Sequence, residues 1–134
     1  MQATARSTPP ATGWPTSWSA TPLPTPSPAA PGEIVFRSNR ADGATELYTV
    51  GQDGTGLRRI TFNDIVERQP VWSPDRSRIA FAGLRVGNWD IYSLGADGTD
   101  LRRHTTDPAR DDYPKWTADG RIVFQRGPFD CPAA

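Results

Sequence analysis

A set of short blocks returns after 44 residues, and this periodicity limits the possible folds more than any other feature of the chain. Asp53-Gly54-Thr55 recurs as Asp97-Gly98-Thr99, and Leu57-Arg58-Arg59-Ile60-Thr61 as Leu101-Arg102-Arg103-His104-Thr105, both 44 residues on. Glu46-Leu47-Tyr48 matches Asp90-Ile91-Tyr92, and Pro70-Val71-Trp72-Ser73 matches Pro114-Lys115-Trp116-Thr117. Ile34-Val35-Phe36 returns as Ile79-Ala80-Phe81 and again as Ile122-Val123-Phe124. Blocks matched in order at one spacing mark a repeat architecture. Within a period the apolar runs are short and rich in β-branched and aromatic residues, with Gly, Asp, Asn and Pro between them, which is the pattern of successive strands and tight turns.

The complete unit holds four such runs: Val71-Trp72, Ile79-Ala80-Phe81, Asp90 to Leu94, and Leu101 to His104. Pro74 in Ser73-Pro74-Asp75-Arg76 presets a type I turn. The later copy, Thr117-Ala118-Asp119-Gly120, puts Gly where the chain needs positive φ. Gln52-Asp53-Gly54 and Ala96-Asp97-Gly98 read as Asp-Gly hairpin turns. Four antiparallel strands in about 44 residues make one β-propeller blade. The expected fold is therefore all-β: about two four-stranded blades, a partial propeller, behind a disordered N-terminal segment.

That segment is residues 1 to 32. It carries eight of the fourteen prolines, 24 of its 32 positions are Pro, Thr, Ser or Ala, and Arg6 is its one charge. Proline fixes φ and removes donors, so a linker or stalk of extended, polyproline II character is expected. Trp14 and Trp18 are its two large apolar side chains. Stalk composition favours an extracytoplasmic setting, periplasmic, cell-surface or secreted. Met1 to Arg6 lacks the apolar stretch of a signal peptide, so the alternatives are an internal location or an upstream segment missing from this sequence.

The blocks resemble the TolB-type propeller repeat, a WD40-like unit with a Trp-Ser-Pro-Asp core. The resemblance rests on Pro70-Val71-Trp72-Ser73-Pro74-Asp75, Ile79-Ala80-Phe81, Asp90-Ile91-Tyr92 and Asp97-Gly98, and covers residues 33 to 126. It implies a partial blade at 33–61, a full blade at 70–106, a partial blade at 114–126 and a frayed tail at 127–134. It implies that the Trp-bearing strand A lines a central channel and that strands B, C and D follow outward. It also implies that the D-to-A and B-to-C loops share a ligand-facing side. Closed propellers need about four to eight blades. The strand inventory leads to the expectation that the chain is a fragment of a longer propeller. The alternatives are a homo-oligomeric ring of several copies, or an open pair of blades with exposed edges.

Binding residues concentrate on loops over a rigid scaffold. The D-to-A loops read as 62–69 and 106–113, and the B-to-C loops include 37–40 and 85–89. The binding-face candidates are Asp64, Glu67, Arg68, Arg85, Trp89, Arg110, Asp111 and Asp112, each competing with plain solvation. Asp107, Asp111 and Asp112 could hold Ca²⁺ if they converged, but no calcium-loop spacing is present. Gly95 to Asp100 resembles a calcium nonapeptide, yet its twin at Gly51 to Gly56 lacks the last Asp, so a hairpin turn is the better reading. Trp72 and Trp116 are expected to pack between blades, with Trp72→Ala costing about 3–5 kcal/mol. His104 stands at the repeat position of Ile60, as a blade-surface residue. There is no G-x-S-x-G elbow, P-loop or Rossmann fingerprint, and Cys131 offers a thiol with no supporting partner.

Fifteen basic and fifteen acidic residues balance, which gives no electrostatic case for nucleic acid, and no run of 18 apolar residues supports membrane insertion. No catalytic residue, cofactor or metal site is assigned. The expectation is a non-catalytic binding or scaffold module for a protein or small polar ligand. The alternatives are the propeller portion of a prolyl-oligopeptidase-like peptidase, and a lectin-like homo-oligomeric ring.

Overall fold

The computed structural model describes residues 32–41 and 43–128. The Pro/Thr-rich leader and Cys131 lie outside them. Nine strands follow in chain order: β1 Glu33–Ser38, β2 Glu46–Gly51, β3 Arg58–Arg59, β4 Val66–Trp72, β5 Arg78–Arg85, β6 Asn88–Gly95, β7 Arg102–Arg103, β8 Arg110–Trp116 and β9 Ile122–Gly127. They form three antiparallel sheets, β1-β2-β3, β4-β5-β6-β7 and β8-β9. These are blades with strands B–D, A–D and A–B, as the repeat predicts. The described residues thus make up part of a propeller and contain no helix.

The core lies between the first two blades. Leu47 and Ile60 of blade 1 meet Ile65, Ile79, Phe81, Tyr92 and Leu94, with Val35 and Trp72 packed alongside. Strand alternation explains the choice. Successive side chains point to opposite sheet faces, so Leu47 turns toward blade 2 while Tyr48 turns away from it. Phe81 stacks on its cross-strand partner Tyr92, with ring centroids 5.7 Å apart. The two Trp residues tie each blade to the one before it. Trp116 Nε1 donates to Val71 O at 3.2 Å, and Trp72 Nε1 donates to Glu33 O at 3.1 Å. Both rings remain partly exposed, so they bridge blades rather than fill a closed core.

Three turns differ from the sequence reading. The Asp-Gly segments do not close as two-residue loops. Gly54 N–H donates to Gly51 O and Gly98 N–H to Gly95 O, which makes Gln52-Asp53 and Ala96-Asp97 the centres of type I turns. The Asp carboxylate secures each turn by accepting from the Thr two residues on, backbone and hydroxyl alike. The glycine follows as the left-handed residue, at φ 85° and 89°. The B-to-C connection of blade 2 is shorter than expected. β5 runs to Arg85 and β6 starts at Asn88, leaving only Val86 and Gly87, both at positive φ. Arg85 and Trp89 are therefore strand residues. Gly120 has the positive φ expected of it, and Arg76 adopts the same conformation at φ 58° without being glycine.

The paired turns give an internal control. A Cβ at Gly54 meets nothing within 4 Å, whereas one at Gly98 falls 2.4 Å from Ile60 O of blade 1. Gly54→Ala is expected to cost about 1 kcal/mol in left-handed strain alone. Gly98→Ala adds a backbone clash and is expected to cost about 2–3 kcal/mol. Urea unfolding of the two variants checks this, and equal losses would refute the close approach.

Candidate functional site: the A-strand face

Strand A begins earlier than its apolar residues suggest. β4 starts at Val66 and β8 at Arg110, so the second half of each presumed D-to-A loop is strand. A bulge interrupts each strand, between Arg68 and Val71 and between Asp112 and Lys115. The bulge residues Gln69 and Tyr113 stand at equivalent repeat positions, at φ 56° and 54°. Gln69 Oε1 accepts from Tyr113 N–H at 2.8 Å, linking the two bulges directly. Bulges re-aim side chains, and here they separate the charged half of strand A from the Trp-bearing half.

Glu67 and Asp111 face into the protein, fully buried. Both belong to a frame that repeats in each blade. Thr61 Oγ1 accepts from Leu47 N–H and donates to Glu67 at 2.6 Å, and Thr105 Oγ1 accepts from Ile91 N–H. Arg59 pairs with buried Glu46 at 3.0 Å and Arg103 with buried Asp90 at 2.7 Å. The two carboxylates then diverge because of the residue across the strand pair. Asp111 faces Arg126, which binds both its oxygens at 2.7 and 2.9 Å and holds its pKa below the usual carboxylate range. Glu67 faces Gly83. Without an arginine, burial pushes its pKa up to about 7 against the hydrogen bonds from Thr61 and Asn63. A side chain is excluded at position 83 because its Cβ would meet Ile65 at 2.7 Å and Tyr92 at 2.9 Å.

Four of the sequence candidates converge. The guanidinium of Arg68 lies over the Trp89 ring, 3.6 Å from the centroid, and that of Arg110 lies 5.8 Å from it. Asp112 ties both arginines. Its Oδ1 accepts from Arg68 Nη2 at 2.6 Å and its Oδ2 accepts from Arg110 Nε. Asp112 is buried, while Arg68, Trp89 and Arg110 keep partial exposure. Two cations on one indole with one carboxylate leave a net positive, π-faced spot. Beside it, a groove of about 440 Å³ runs between β4 and β8, lined by Gln69, Trp72, Tyr113, Lys115 and Trp116. Tyr113 and Lys115 were not among the sequence candidates. Their signal was position: Lys115 lies inside the repeated Trp-bearing run and Tyr113 directly before it.

The other candidates lie apart. Asp64 is exposed on the β3–β4 connection, and Arg85 sits at the far end of β5. Asp107 and Asp111 bind Arg126 while Asp112 binds Arg68 and Arg110. Among the described residues no His, Cys, Asp and Glu side chains gather as a metal requires. A Ser–His contact does exist: Ser93 Oγ and His104 Nε2 are 2.8 Å apart. Ser93 is fully buried, and Arg78 donates to its Oγ at 3.1 and 3.2 Å. Burial and the cations Arg78 and Arg102 lower the His104 pKa. The pair joins strand C to strand D, and no substrate can reach its oxygen.

This arrangement of antiparallel blades, each tied to the last through strand A, is a β-propeller, and its particular form is TolB-like. No protein-family model matches the chain. In the solved structures, 75% of the chain superposes on 38% of a protein assigned as TolB from Agrobacterium tumefaciens, at 26% identity and a TM-score of 0.67. It matches TolB from Acinetobacter baumannii at 22% identity and a TM-score of 0.57, covering 72% of this chain and 24% of that one. It also matches the tricorn protease at 25% identity and a TM-score of 0.55, covering 73% of this chain and 10% of that one. The chain therefore spans well under half the length of these proteins.

Proposed function

We propose that the chain is a non-catalytic binding module of a TolB-like propeller, working outside the cytoplasm, with the A-strand face as its contact surface. The observation that carries this reading is the Arg68–Trp89–Arg110–Asp112 cluster, built from two blades and opening beside the groove between β4 and β8. The extracytoplasmic setting rests on the composition of the leader. The ligand that fits is an extended protein segment with an acidic side chain. Its carboxylate meets Arg68 and Arg110, and its apolar residues lie along Trp72, Tyr113 and Trp116. Partly desolvated arginines over an aromatic face favour carboxylates.

An acidic octapeptide carrying one aromatic residue is expected to bind saturably, read by fluorescence anisotropy, and to weaken as salt rises. The Arg68→Gln/Arg110→Gln double variant is expected to bind about tenfold more weakly. Unchanged binding in a folded double variant would sink the assignment. The tricorn protease match favours a second reading, the propeller portion of a larger peptidase. An α/β region bearing a G-x-S-x-G elbow in the same native polypeptide would carry that reading instead.

A further inference from the structure

Blade 2 carries a second cavity, independent of the A-strand face. It occupies about 680 Å³ between the Val86-Gly87 turn and strand β7. Arg85 and Arg103 line it, together with Tyr92, Leu101, Thr106 and Pro108. Arg103 is bound to Asp90 on one side, at 2.7 Å, and Asp90 is fully buried. Arg85 is exposed, and its side chain has no hydrogen bond or ion pair among the described residues. Tyr92 is 2% exposed, and its hydroxyl is buried with no hydrogen-bond partner. A buried phenol without a partner is costly. Asn88 is engaged with Asp107 O at 2.8 Å and does not compete for the site. With Asp90 offset by Arg103, one positive charge remains, on Arg85.

The repeat explains why the cavity is open. Arg59 stands in blade 1 where Arg103 stands in blade 2, and the Phe62 ring covers it, with its centroid 4.5 Å from the guanidinium carbon. At the position of Phe62, blade 2 has Thr106. The phenol of Tyr48, the blade 1 counterpart of Tyr92, is also unpartnered, but there the neighbouring arginine is capped by an aromatic ring. In blade 2 the Phe62 cap is gone, and Arg85 stands at the repeat position of Arg40, whose guanidinium lies 5.5 Å from the Tyr48 ring centroid in blade 1. Val86, which is 98% exposed, and Leu101, which is 44% exposed, add apolar surface beside the two cations.

We propose that this cavity binds a small organic carboxylate with an apolar body. Arg85 and the free side of Arg103 hold the carboxylate, and the apolar part rests on Val86, Leu101 and Pro108. Charge-assisted donors around a carboxylate and a few apolar walls are the usual make-up of such sites.

The test is a ¹H–¹⁵N titration of the full chain with benzoate, with benzamide and inorganic phosphate as controls. Benzoate is expected to give saturable shifts at residues 85–88 and 101–108. Benzamide, which lacks the charge, and phosphate, which lacks the ring, are each expected to bind at least tenfold more weakly. Arg85→Gln is expected to weaken benzoate about tenfold. Thr106→Phe, which restores the cap of blade 1, is expected to abolish binding and leave the spectrum elsewhere unchanged. Absence of saturable shifts, equal binding of either control, or unchanged affinity in Arg85→Gln or Thr106→Phe would each overturn the proposal.

Discussion

Phe81→Ala is expected to remove about 3–5 kcal/mol of stability, enough to leave much of a marginally stable chain unfolded at 25 °C. The side chain is fully buried, stacks on Tyr92, and belongs to the cluster that joins blade 1 to blade 2. Its loss leaves a cavity in the apolar cluster between the two sheets. Trp72→Ala should cost less than its repeat position suggests, because the ring is only partly buried. It removes one hydrogen bond to Glu33 O, the ring beneath the Arg76 guanidinium and packing along one side of the core cluster. Urea unfolding followed by far-UV circular dichroism ranks the two. A Trp72→Ala loss equal to that of Phe81→Ala would mean that the inter-blade core is misassigned.

The second large effect is on pH dependence. Burial raises the Glu67 pKa from 4.5 to about 7 in the folded chain. Between these values the folded state binds more protons than the unfolded one, so stability falls as pH rises. The contribution is fully present below about pH 4.5 and is lost on passing pH 7. A shift of this size corresponds to about 3 kcal/mol. His104 acts in the opposite sense, since its depressed pKa means stability is lost as pH falls below its unfolded value. The comparison with Glu67→Gln isolates the carboxyl. The variant is expected to lose the decline between pH 5 and 8 and to exceed the parent in stability at pH 8. Parallel pH profiles of parent and variant, measured as urea midpoints, would show that Glu67 is ionised in the folded state.

The architecture was legible because it is written in spacing. A 44-residue period with β-rich runs fixes blade, strand order and turn positions before any contact is known. The side-chain destinations on strand A were not legible. Glu67, Arg68, Asp111 and Asp112 read as loop because they are charged, yet they lie within β4 and β8. The burial of the three carboxylates depends on partners outside their own strands: Thr61 for Glu67, Arg126 for Asp111, Arg68 for Asp112. Sequence periodicity reports which residues avoid water, but not which charges have found a partner. The bulges at Gln69 and Tyr113 hid the strands further, because one extra residue breaks the alternation that would have marked them. The TolB resemblance predicted the fold and did not anticipate that the same frame position would hold a neutralised acid in one blade and an uncompensated one in the next.

The Trp ties have a mechanical meaning. Each indole reaches backward, from Trp72 to Glu33 and from Trp116 to Val71, so every sheet is latched to its predecessor by its own leading strand. A chain pulled from its two ends would load these latches in series, and the sheets would part singly rather than all together. Each rupture would release one sheet, and because the sheets hold three, four and two strands, the lengths released would differ. Such a chain gives way in discrete steps, like a zip with one tooth per latch.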